Sequence, residues 1–287
     1  MSFLLKSSKR LHKAEKVRIA VSVVLLLFFA VIMLFPIYFM FVTSLGRPVE
    51  SGSANYSLIP RVITLDSYKF FFNYSDYALR WIMNSLVVSA IVMLGNALFA
   101  SMAGYAFSRI QFKGRELLFW LFLGTMMVPY QVVQVPMYVL TVRVFHMQDM
   151  FAALILPGLC TAYNIFLMKQ FTTSIPKEIL ESAKIDGCSQ PKIFANIVLP
   201  LSKTVIAVIA ITTFMDTWNS YFWPMLITTK ESMKTIQVGL GAFRFANTTY
   251  FAPMMAGACV AALPMFVLFF CLQKYFLEGV TVGAVKG

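Results

Sequence analysis

The chain has 287 residues and a formal net charge of +12, yet only 13% of it is charged and 59% is hydrophobic. Soluble domains carry about 25% charged residues, so this composition excludes a soluble globular domain, a disordered chain and a nucleic-acid binder, whose charge would sit on an extensive polar surface. What remains is an all-α, polytopic membrane protein.

Residues 1–18 are basic, with Lys6, Lys9, Arg10, Lys13, Lys16 and Arg18; they suit a topology signal or contact with anionic lipid. Behind them come Ile19–Gly46, Trp81–Ser108, Leu117–Val142, Met150–Met168, Thr204–Thr229 and Phe245–Gln273. Only Asp216 breaks these stretches, which are 19 to 29 residues long. A helix rising ~1.5 Å per residue needs about 20 residues to cross a ~30 Å hydrocarbon core. Each stretch holds one crossing, so the sequence predicts six transmembrane helices at about 19–43, 81–107, 117–141, 150–168, 204–228 and 253–273. The first is too long for a cleaved signal and no A-x-A site comes closely after it. Barrel strands would need ~10 residues of alternating polarity instead.

In span three, Pro129-Tyr130-Gln131 and Gln134-Val135-Pro136 place two prolines seven residues apart, which bends or breaks a helix. Gln131 and Gln134 are i and i+3 and share a face. That face either lines a cavity or meets a neighbouring helix, and Asn164 in span four has the same two readings.

Residues 169–203 come next, and within them two short helices are predicted. Pro176 suits a first turn, Glu178 lies near the positive end of the helix, and Lys177 and Glu181 are four apart. Asp186-Gly187 is a turn signal that ends the first helix. The second starts near Ser189 or Pro191 and runs to Leu199, with Ile193, Phe194, Ile197 and Val198 on one face.

Span five is the most polar and aromatic, with Asp216, Trp218, Asn219, Ser220, Tyr221 and Trp223. A carboxylate in a span costs about 2.5–3.5 kcal/mol on insertion scales, so Asp216 either lines a pathway or pairs structurally. The tail 274–287 reads as a flexible basic end with no helical pattern, carrying Gly283, Lys286 and Gly287.

With the N-terminus in the cytoplasm, 16 Lys and Arg fall inside and 8 outside, so both termini are placed inside. Cys160, Cys259 and Cys271 lie in spans and Cys188 in the inside loop; they read as buried apolar thiols with no disulfide framework. The only histidines are His12 and His146, and no H-E-x-x-H, C-x-x-C or G-x-S-x-G occurs, which leaves no metal site and no catalytic residue in view. Nor is there a G-x-x-x-x-G-K-[ST], so ATP, if it powers this protein, is bound by another subunit.

Glu181-Ser182-Ala183-Lys184-Ile185-Asp186-Gly187, with Phe194, Ile197, Leu199 and Pro200 after it, resembles the EAA motif of binding-protein-dependent ABC importer permeases. Ser182 departs from the motif's Ala but is also small, so a close-packing role is retained. Asn84-Ser85-Leu86, the run Ala103–Arg109 and Trp218-Asn219 with Trp223-Pro224 are similar to motifs of the same family, and the glycine-rich tail is similar to that of the maltose-type carbohydrate permeases. The resemblance covers about residues 81–287. It implies the type I ABC importer permease fold in a bacterial or archaeal cytoplasmic membrane. It also implies a second permease subunit, a cytoplasmic ATPase dimer that binds ATP and Mg, an extracellular solute-binding protein and a sugar substrate. The loop would be the coupling helix, with Glu178, Glu181, Ser182, Ala183, Asp186 and Gly187 at the ATPase, joined there by Gly283, Lys286 and Gly287. Gln131, Gln134, Asn164, Asp216, Trp218, Asn219 and Tyr221 are the pathway candidates. Hydroxyl-bonding groups and aromatic faces suit a polyol, although Trp218-Asn219 reads equally as a packing element. A permease for a polyol phosphate would need basic residues along the path, and the spans offer none. A membrane-embedded enzyme would need a cluster of acids, histidines or metal ligands, and Asp216 stands alone. A channel would not need the loop.

Overall fold

The computed structural model describes residues 13–48, 58–59, 62–243 and 250–284. Among the described residues the secondary structure is entirely helical. Helix α1 (Lys13–Ser44) is apolar on all sides, and its side chains from Val17 to Tyr38 are exposed, as suits a helix surrounded by lipid or another apolar surface. Among the described residues its C-terminal end is the part that meets the rest of the chain. There Phe39 lies 6.4 Å from Phe251 between ring centroids, and Ser44 hydrogen-bonds Tyr68 of α2 (Asp66–Tyr74) at 2.9 Å.

Helix α3 (Ala78–Arg109) is the central element and buries polar side chains along its length, among them Asn84, Ser85, Ser89, Asn96 and Ser101. Lipid is as apolar as Leu, so helices in it associate through close approach of small residues rather than by escaping water. Gly104 shows this: a Cβ there would lie 2.7 Å from Met168 Cβ and 2.8 Å from the Lys169 nitrogen. At the start of α3, Asn84 Nδ2 donates to the carbonyls of Ser232 and Lys234, both at 2.9 Å, and Ser85 Oγ accepts the Ile236 N–H at 2.8 Å. The Asn84-Ser85 pair thus satisfies backbone groups of the 232–236 connection that would otherwise be buried unpaired.

The third expected span is broken, as its prolines require. Helices α4 (Arg115–Thr125) and α5 (Tyr130–Val144) meet at 95°, with Pro129 at the junction and Pro136 inside α5. The fourth comprises α6 (Phe151–Ile155), a 3-10 turn at Leu156–Gly158 and α7 (Ala162–Ser174). Helices α8 (Lys177–Ile185) and α9 (Gln190–Leu201) come after it, and α9 meets α10 (Lys203–Trp218) at 78°.

The expected continuous helix over 204–228 is corrected here. It stops at Trp218 and resumes as α11 (Phe222–Ile227). Pro224 explains the gap, because in a continuous helix its ring would strike the carbonyl four residues back, at Ser220. Helix α12 (Ile236–Gly241) precedes α13 (Phe251–Ala284). Gly283 therefore lies in a helix, where the sequence shows no helical pattern; Lys286 and Gly287 lie outside the described residues. Among the described residues four helices are long and apolar enough to cross a membrane, and the two bent pairs bring the number to six if each is one span. The cysteines also differ from expectation: Cys160 and Cys271 are exposed rather than buried, and Cys188 and Cys259 are half-buried.

Candidate functional site

The gap in span five opens onto a cavity of about 590 Å³ between α3, α5, α6, α7, α10 and α11. Asn96, Thr161, Asn164, Thr212, Thr213, Thr217 and Ser220 supply amide and hydroxyl groups to its wall. Tyr130, Tyr163 and Trp223 supply rings, and among the described residues Asp216 supplies the single carboxylate and no Lys, Arg or His takes part.

A buried hydrogen-bond chain fixes part of this wall. Asn96 Oδ1 accepts from Asn164 Nδ2 at 3.0 Å, from the Thr161 N–H at 3.1 Å and from Thr161 Oγ1 at 3.3 Å. The second Asn164 Nδ2 hydrogen goes to Thr213 Oγ1 at 3.0 Å, and Asn96 Nδ2 donates to the Gly158 carbonyl. One asparagine on each of α3 and α7 thereby ties three helices together. Asp216 is different. It is exposed on the cavity side of α10 and has no hydrogen-bond or ion-pair partner among the described residues.

Of the seven pathway candidates, only Asn164 and Asp216 come together at this cavity. Gln134 is buried and Gln131 exposed, and neither lines it. Trp218 belongs to the core: its ring stacks on Phe214 at 5.6 Å and its Nε1 donates to the Ala261 carbonyl at 3.0 Å. Asn219 accepts from Gln237 Nε2 at 3.4 Å beside a separate pocket of about 240 Å³. Tyr221 is exposed and outside the cavity.

The second candidate region is the helical hairpin of α8 and α9. Gly187 has φ +79°, a region that only glycine enters cheaply. Its N–H bonds the Lys184 carbonyl at 3.0 Å, and the Cys188 N–H bonds the Ala183 carbonyl at 2.9 Å. That pair is the Schellman termination of a helix. Ala183 and Leu180 are buried against Tyr105, Met168 and Ile193, while Glu178, Glu181, Ser182 and Asp186 are exposed. Ser182 is therefore not the close-packed residue expected of it within this chain; its hydroxyl bonds the Glu178 carbonyl at 2.8 Å.

Helix α3 is tied to the hairpin through Tyr105 and to the end of α7, just before the hairpin, through Arg109. Tyr105 donates to Gln190 Oε1 at 2.7 Å. Arg109 donates to the carbonyls of Thr172 at 2.7 Å, Thr173 at 3.1 Å and Ile175, the last ones of α7, where a cation also suits the helix dipole.

A third arrangement joins the loop before α6 to the end of α11. Asp149, at φ +57°, accepts the N–H groups of Thr229 at 2.7 Å and Lys230 at 2.9 Å, and Thr229 Oγ1 at 2.6 Å. Partial burial pushes its carboxyl up, but these hydrogen bonds and the Lys230 charge outweigh that and hold it below the ordinary carboxylate range.

Residues 96–282, which hold the hairpin and most of the cavity wall, match the family described as binding-protein-dependent transport system inner membrane component. The chain belongs to this family. It is thus a membrane component of a transport system and not an enzyme. It is 33% identical over 270 residues to the arabinooligosaccharides transport system permease protein of Bacillus subtilis, covering 92% of this chain and 96% of that one. It is 32% identical over 258 residues to the sn-glycerol-3-phosphate transport system permease protein of Escherichia coli, covering 86% and 90%. Its fold is that of a chain in the crystal structure of a bacterial ABC transporter involved in the import of the acidic polysaccharide alginate, with a TM-score of 0.81, 22% identity and coverage of 93% and 99%.

Within this inner membrane component, sequence reasoning missed Asn96, Thr161, Thr213 and Arg109. Asn96 carried a usable signal, an amide in a charge-free stretch. The threonines carried none, because an isolated Thr in a span is commonplace. Arg109 closes a span, and its role depends on where α7 ends in space.

Proposed function

We propose that this chain is one permease subunit of an ATP-driven importer that moves a sugar or oligosaccharide by alternating access. Its cavity forms part of the solute path and the α8–α9 hairpin receives the push of a cytoplasmic ATPase dimer. A second permease subunit completes the membrane domain, and an extracellular solute-binding protein delivers the sugar. Both termini lie in the cytoplasm and the chain crosses a bacterial or archaeal cytoplasmic membrane six times, counting each bent pair as one crossing.

The observation that carries the reading is the cavity wall. Saccharides are held by hydroxyl hydrogen bonds and aromatic faces, and the wall offers seven amide or hydroxyl side chains with three rings. Two relatives carry different solutes in their names, an arabinooligosaccharide and a glycerol phosphate. The wall favours the uncharged one. A phosphate needs cationic or clustered N–H partners, and among the described residues no cation lines the cavity while one carboxylate does. The test is uptake by the reconstituted complex of labelled arabinooligosaccharide against sn-glycerol 3-phosphate. Saccharide uptake that requires ATP supports the reading; uptake of the phosphate alone overturns it.

A further inference from the structure

Among the described residues Asp216 is the one carboxylate lining the cavity, and no cation lines it. Asp216 has no ion-pair or hydrogen-bond partner among the described residues. Four of the polar side chains that line the wall are already engaged. Asn96, Asn164 and Thr213 already bond one another, and the Thr212 hydroxyl donates back to the carbonyl of Val208 at 2.9 Å. A lone charge in a cavity with low-dielectric walls sets the sign of the local potential, because its field is focused into the remaining water.

We propose that Asp216 sets the charge selectivity of the cavity: it admits neutral and ammonium-bearing saccharides and excludes those that carry carboxylate or phosphate. This rests on the cavity being part of the solute path. The same carboxylate that accepts sugar hydroxyls then repels an anionic sugar, so one residue contributes both affinity and discrimination.

The test reads the potential directly and does not depend on which sugar is carried. Thr212 lines the same wall one helical turn before Asp216, and side chains four apart on a helix are neighbours. In the assembled transporter in lipid nanodiscs, Thr212→Cys is reacted with cationic, neutral and anionic methanethiosulfonates of similar size, and the labelled peptide is identified by mass spectrometry. Ser220→Cys is the second reporter. The ratio of cationic to anionic rate should fall by about tenfold or more when Asp216→Asn is added, since a unit charge about 6 Å away changes each rate in opposite directions even at the dielectric of water. A ratio that moves by less than twofold at both positions overturns the charge filter but leaves the saccharide path standing. Failure of both thiols to react even with the neutral reagent overturns both, because it shows that solutes do not reach the cavity.

Discussion

Gly187 gives the sharpest prediction for the hairpin. It holds φ +79°, and a Cβ added there would meet nothing within 4 Å, so a substitution acts through backbone strain alone. Placing an L-residue in the left-handed region costs roughly 1–2 kcal/mol, a factor of about 5 to 30 in the population of the native turn. Asn tolerates the region better than Ala, and a β-branched residue tolerates it worst. The series Gly187→Asn, Gly187→Ala, Gly187→Val should therefore lower ATP-driven uptake per assembled complex in that order. Hydrogen exchange at the Cys188 amide, bonded to Ala183 at 2.9 Å, should rise in the same order, by up to about the same factor. Gly114 is the control, since it has φ +82° and equally free surroundings but lies outside the hairpin. Gly114→Ala carries the same strain and should leave uptake per complex near that of the wild type. Wild-type uptake and protection in Gly187→Val, or an equal loss in Gly114→Ala, would refute the assignment of coupling to this turn.

Arg109→Ala leaves the last carbonyls of α7 without their cap and should destabilise the hairpin by about 1.5–3 kcal/mol, the range for charged hydrogen bonds; limited proteolysis between residues 172 and 190 reads the loss, and Arg109→Lys should recover only part of it because the fork is gone. A double-mutant cycle of Asn164→Ala and Thr213→Val, read as detergent-resistant thermal stability, should give a coupling of about 0.6 kcal/mol and at most about 1.7; additivity would remove the pair from the account. Asp149, whose carboxyl is held low in the folded chain, contributes stability that is present above its ordinary pKa of about 3.9 and is lost as pH falls through its lower folded value. Asp149→Ala should therefore be less stable than the wild type at pH 7, with the gap narrowing as pH falls below about 3.9, and a gap that does not narrow would contradict the carboxylate's role.

The apolar stretches were readable because a charge is costly in lipid, so charge-free runs announce themselves without any knowledge of packing. The bend in span three was readable from Pro129 and Pro136. The break at Asn219–Tyr221 was not, although Pro224 forces it, because the apolar run Thr204–Phe214 gives no hint of a stop a few residues later. Trp218 shows the harder limit. An indole next to Asn219 and Ser220 looks like a sugar platform, yet its Nε1–H finds the Ala261 carbonyl and its ring finds Phe214. Which face of a helix turns inward depends on its neighbours, and only the fold supplies them. The cavity wall gathers residues from six helices, so its membership has no signature in any one of them.

Whether the chain is an ATP-coupled saccharide permease is decided by uptake of labelled arabinooligosaccharide into proteoliposomes, with and without the ATPase subunit and with Gly187→Val beside the wild type. Accumulation should require both ATP and the ATPase and should fall severalfold in Gly187→Val. Equal saccharide flux without the ATPase would contradict the coupling and make the chain a passive channel.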